Sequence, residues 1–142
     1  MVYPENCVTT HIKPFAIQEL ESKVDFRNPD SIEVDEVKVD DCVIKSGTRC
    51  DYLIDVDSTD RSILVELKGA DIDQAYHQLR TTQQTLKDGL KGNLAWIICY
   101  SGKARLNQIM HINALADYNA TLYVESSPCV YDIREDTVVL MG

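Results

Sequence analysis

Apolar residues recur along this chain at two spacings, and the changes of spacing mark out the elements. Ile17, Leu20 and Val24 fall on one helical stripe, with Pro14 suited to a first turn, so a short helix is predicted over residues 15–24, ahead of Asn28-Pro29-Asp30. From residue 32 to 45 the pattern alternates: Ile32 and Val34, then Val37 and Val39, then Cys42 and Ile44. One phase slip at Asp35-Glu36 predicts a bulge or a strand end. With a turn at Lys45-Ser46-Gly47-Thr48, a three-strand meander is predicted at about 36–45, 49–57 and 61–68. Helical spacing then returns through Ile72, Ala75, Leu79, Thr82, Leu86 and Leu90, opened by a capping pattern of Asp71 with Gln74. The nearly continuous apolar run 93–100 predicts a strand covered on both faces. A helix over about 104–118, a strand at 122–124 and a last hairpin of 129–133 with 137–141 complete the chain.

The predicted order is helix, three strands, helix, strand, helix, strand. It describes a single α/β domain over residues 1–142, a mixed central sheet of αβββαβ order flanked by helices. Neither internal repeats nor low-complexity segments are visible.

The chemistry concentrates between Asp51 and Gln78. Tyr52-Leu53-Ile54 and Ile63-Leu64-Val65 flank the polar tetrapeptide Asp57-Ser58-Thr59-Asp60, the pattern of a β-hairpin. With that tetrapeptide as the loop, Val56 faces Arg61, paired residue numbers sum to 117, and Asp51 falls opposite Glu66. Opposed residues share a face with Cβ atoms roughly 4.5–5.5 Å apart. Alternation adds Lys68 to that face and turns Ile63, Val65 and Leu67 away. Two carboxylates this close repel unless a cation lies between them or one takes a proton. Mg²⁺ prefers carboxylate oxygens and keeps several waters, and such an ion polarises a phosphoryl oxygen and acidifies a bound water. An ammonium beside it offsets charge developing on phosphate.

Asp51, fourteen residues, then Glu66-Leu67-Lys68 resembles the D…(D/E)-x-K signature of the PD-(D/E)XK nuclease superfamily, which includes restriction endonucleases, Holliday junction resolvases and exonucleases. The resemblance covers roughly residues 15–126, with Cys50 where the pattern often has proline. It implies a restriction endonuclease-like core, Mg²⁺ (with Mn²⁺ able to substitute) held by Asp51 and Glu66, and Lys68 as the catalytic lysine. It also implies another acid from the helix before the sheet. On a helical wheel Glu21 borders the apolar stripe and Glu19 points away, so Glu21 is the preferred third ligand, beside the plainer reading of both as surface acids. Gln78 matches a glutamine that several branches place near the metal or scissile phosphate; a surface amide is the alternative. His77 reads as an ordinary exposed histidine. The turn Ser101-Gly102-Lys103 with Arg105 is either a phosphate-holding helix start or a plain strand–helix turn, and it lacks the second glycine of a P-loop.

Net charge of −9 opposes tight binding of a bare duplex. The charge is uneven, −8 over residues 1–60 and +3 over residues 61–110. That asymmetry predicts a DNA backbone contact helped by a homodimer or a basic partner protein. Five cysteines with no C-x-x-C pair read as reduced cytosolic thiols packed as small hydrophobes. Met1 to Glu5 lacks the start of a secretory leader, and no apolar run approaches the ~20 residues of a membrane helix, so a cytoplasmic protein is expected. Together these readings predict a metal-dependent deoxyribonuclease, structure- or end-directed because no separate base-reading module is visible. The alternative is a nuclease-like domain without activity that serves as a nucleic-acid- or protein-binding subunit.

Overall fold

A computed structural model describes residues 3–68, 71–103, 120–134 and 138–140, with Lys68 and residues 138–140 described by backbone alone. The strands are β1 (Val8–His11), β2 (Phe15–Glu19), β3 (Ser22–Arg27), β4 (Val34–Lys38), β5 (Tyr52–Val56), β6 (Arg61–Lys68), β7 (Asn93–Tyr100), β8 (Ala120–Ser126), β9 (Cys129–Ile133) and β10 (Val138–Leu140). One α-helix, α1 (Ile72–Leu86), lies between β6 and β7.

Two sheets form. The larger runs β1-β4-β5-β6-β7-β8, antiparallel through β6 and parallel from β6 to β8. The smaller runs β10-β9-β3-β2, with β9 and β3 parallel. One face of the larger sheet, with Ile54, Ile63, Val65 and Ile97, packs on Val24, Phe26 and Tyr131 of the smaller. Its other face, with Leu53, Leu64, Trp96 and Ile98, packs on Ile72, Ala75 and Leu79 of α1. Both faces of β5, β6 and β7 are therefore buried, which is why these strands read as apolar runs.

The expected α/β layout with flanking helices is not what forms. Among the described residues there are ten strands and one α-helix, and a second sheet covers the face where a helix was predicted. The error begins at residues 15–24. Ile17 and Val24 are seven apart, as two turns of a helix require, but they are direct partners across the β2–β3 hairpin. Alternate residues Ser22, Val24 and Phe26 are buried, the period of a strand. Leu20, the third member of the presumed stripe, stands in the turn and is 94% exposed.

The slip at Asp35-Glu36 is not a bulge either. β4 pairs without interruption, Val34 to Val37 with β1 and Asp35 to Lys38 with β5. Val34 enters the core between the sheets, and Val37 the core under α1, so an odd spacing serves two faces. The chain then turns through residues 39–44, which were expected to continue the strand.

The cysteine reading also needs correction. Cys7 and Cys42 form a disulfide. The pairing of Val8 with Val37 brings Cys7 beside the turn after β4, a proximity that a separation of 35 residues does not advertise. Cys50, Cys99 and Cys129 are free and buried, packed as small hydrophobes. Other expectations are met: α1 opens with the Asp71 side chain accepting from the Gln74 amide at 3.0 Å, and β7 runs parallel to β6. The helix expected at 104–118 lies outside the described residues.

Candidate metal and phosphate site

β5 and β6 pair from Tyr52–Val65 to Val56–Arg61, the register that sums to 117. Just before β5, the Asp51 amide donates to the Val65 carbonyl at 3.2 Å, and the Leu67 amide donates to Asp51 Oδ2 at 2.8 Å. The Glu66 side chain, 1% exposed, lies within hydrogen-bonding reach of the Asp51 carboxyl. A bond between two carboxyl groups needs a proton between them, because an ionised carboxylate only accepts. Burial raises the Asp51 pKa most; the Leu67 amide and the Glu66 bond oppose it, and the charges of Glu19 and Asp40 add to it. Ile63, Val65 and Leu67 face the other sheet, as alternation predicts.

This pair forms the floor of a cleft of about 650 Å³. The tip of the β2–β3 hairpin, Glu19 to Glu21, makes one wall, and Gln78 of α1 faces the cleft from the helix side. Ser101, the residue after β7, also lines it. The cleft thus lies at the carboxyl ends of the parallel strands β6 and β7. An adjoining cleft of about 600 Å³ shares Asp40 and Gln78 as walls and takes in Arg49 and His77.

Arg49 ties these walls together. Its Nε donates to Asp40 Oδ1 at 2.7 Å, and its carbonyl accepts from Gln78 Nε2 at 3.0 Å. Gln78 Oε1 is buried and, among the described residues, has no hydrogen-bond partner. One turn along the helix, the Thr82 hydroxyl donates to the Gln78 carbonyl and accepts from the Cys50 amide, each at 2.7 Å. Through Thr82 the helix holds the residue just before Asp51.

Asp51, Glu66 and Gln78 therefore come together. Glu21 is exposed at the rim, and Glu19 is beside it with its carboxylate 3.3 Å from Lys38 Nζ. The preference for Glu21 rested on a helical wheel, and no helix exists there. The acids whose charge reaches Asp51 are Glu19 and Asp40. Asp40 went unnoticed because it sits in a turn with no periodicity to single it out. Among the described residues no three His, Cys, Asp or Glu side chains gather as a metal site. Lys68 ends β6 paired with Tyr100 of β7. Lys103 is exposed three residues beyond β7, His77 is exposed on α1, and Arg105 lies outside the described residues. Among the described residues no helix is long and apolar enough to cross a membrane.

No protein-family model, curated protein or solved structure matches this chain.

Proposed function

We propose that this cleft is a divalent-cation-dependent phosphodiesterase site acting on DNA. The observation that carries the proposal is the Asp51–Glu66 pair, a half-buried and a buried carboxyl group brought side by side by the β5–β6 register on the floor of the cleft. A hard divalent cation suits that position, because it replaces the shared proton, offsets the mutual repulsion and needs only one or two carboxylates from the protein. Mg²⁺ is the natural ion, and Mn²⁺ can substitute. When bound, the ion supplies a polarised phosphoryl oxygen and an acidified water.

The chain's own residues do the rest. The Leu67 amide fixes one oxygen of Asp51, so the carboxylate is aimed before any ligand arrives. Gln78, held through Nε2 by the Arg49 carbonyl, lines the cleft beside the acid pair and fixes its shape on the helix side. Lys68, two residues past Glu66 on β6, supplies the positive charge that the phosphate requires. Lys103, and Arg105 further along the chain, meet the DNA backbone. Because the walls carry Glu19, Glu21 and Asp40, phosphate enters only once cations balance them, and a homodimer or a basic partner protein supplies the remaining grip.

The test is cleavage of end-labelled single-stranded and duplex DNA by the purified protein in Mg²⁺ or Mn²⁺. Products are expected with metal, none with chelator and none from Asp51→Asn. Lys68→Ala should retain metal binding and lose roughly 10²-fold in rate, the scale of a lost transition-state charge contact. Cleavage that persists in chelator, or in Asp51→Asn, contradicts the assignment. A protein that binds DNA without cutting it under any metal is instead an inert binding subunit.

A further inference from the structure

Leu20 is the most exposed large hydrophobic among the described residues, at 94%. Its φ is +52°, in the left-handed region that leucine rarely occupies. It sits in a two-residue hairpin turn between the paired residues Glu19 and Ser22, where a positive φ ordinarily calls for glycine, asparagine or aspartate. Leucine there serves neither the turn nor the core.

The conformation is held from several sides. Gln18 Nε2 donates to the Leu20 carbonyl at 3.2 Å, and Ser127 Oγ donates to the Glu21 carbonyl at 3.3 Å. Ser127 is in turn anchored, its amide donating to the Tyr100 carbonyl at 2.7 Å and its hydroxyl accepting from the Lys23 amide at 3.0 Å. The tip is therefore fixed to the end of β7, and it forms the wall facing Asp51 and Glu66. Strained backbone that its surroundings hold in place concentrates at functional sites.

We infer that Leu20 is a base-contacting wedge, which packs on the face of an unstacked nucleobase while the neighbouring phosphate lies over the Asp51–Glu66 pair. The inference rests on the phosphodiesterase reading of the cleft and narrows its substrate. Glu19 and Glu21 flank the leucine, so phosphate is repelled from the tip, and an uncharged base face is the part of a nucleotide that fits there. Base faces within a duplex are covered by their neighbours. The strand in the cleft is consequently single-stranded or frayed, which agrees with an acidic chain ill-suited to hold a duplex.

The experiment is fluorescence anisotropy of labelled oligothymidylate against an abasic strand of equal length, in Ca²⁺, for wild type, Leu20→Asn and Leu20→Phe. Asparagine tolerates the left-handed conformation, so the turn survives, which equal melting temperatures would verify. Wild type should prefer the strand with bases by about five- to tenfold, in line with single base contacts elsewhere. Leu20→Asn should reduce the preference to less than about twofold, and Leu20→Phe should keep it. A wild type indifferent to bases, or a Leu20→Asn protein with the full preference, overturns the inference. Cleavage in Mn²⁺ is read separately: base preference without cleavage leaves the role of Leu20 standing and removes the phosphodiesterase reading instead.

Discussion

The Leu67 amide donates to Asp51 Oδ2 at 2.8 Å, one residue past Glu66 along β6. The backbone of one strand thereby orients the carboxyl of the other, although the Leu67 side chain points into the opposite core. Asparagine keeps an oxygen for that amide and removes the charge. Without a metal, the half-buried Asp51 and the buried Glu66 must share a proton or repel each other. Asp51→Asn is therefore expected to melt at or above the wild-type temperature in chelator, as followed by circular dichroism at neutral pH. A variant several degrees less stable than wild type in chelator shows that the pair stabilises the fold rather than strains it.

Thr82 links α1 to the strand that carries the site. Its hydroxyl is the acceptor for the buried Cys50 amide, and valine has the same shape without that acceptor. An orphaned buried amide costs about 1–3 kcal/mol. Thr82→Val is expected to lower unfolding free energy by that amount in urea titrations. Thr82→Ser, which keeps the hydroxyl, should lose only about 1 kcal/mol for one buried methyl. A Val variant as stable as wild type would mean that the amide finds another partner.

Asp55, at the far end of β5, gives a pH dependence separate from the cleft. It accepts from Ser62 Oγ at 2.6 Å, and Lys91 Nζ is 3.8 Å away. Burial raises its pKa, helped by Asp57 and Asp35 and opposed by the Ser62 bond and Lys91. A carboxyl whose pKa is raised on folding contributes stability below its unfolded value near 4, and loses it as pH rises through the folded value. Asp55→Asn keeps an acceptor for Ser62 and does not ionise. Its stability relative to wild type should increase as pH rises above the ordinary carboxyl value of about 4, measured by thermal melts. A relative stability that falls over that range contradicts the burial argument.

The hairpin and its register were legible in the sequence because register is arithmetic. Once Asp57 to Asp60 is taken as the loop, Asp51 and Glu66 have to meet, and they do. α1 was legible because its apolar positions repeat over four turns between a cap and a glycine-containing turn. The second sheet was not. Ile17 and Val24 satisfy a helical spacing and a hairpin pairing equally well, and only the partner strand β9, about a hundred residues away, decides between them. Asp40 was hidden in the turn after β4, which folds back so that its amide donates to the Asp51 carbonyl, and the Cys7–Cys42 bond depends on β1 pairing with β4. Local patterns expose contacts within a hairpin or a helix, and contacts between distant segments leave little trace in them.

The central claim is that Asp51 and Glu66 hold a divalent cation, and a calorimetric titration with Mn²⁺ tests it without relying on cleavage. Deprotonated ligands bind metal, so binding should displace the shared proton. Repeating the titration in buffers of different ionisation enthalpy counts that proton. The expected result is one Mn²⁺ per chain in wild type, bound with proton release, and no detectable binding in Asp51→Asn or Glu66→Gln. Equal Mn²⁺ binding by wild type and both variants, or none by wild type, contradicts the account.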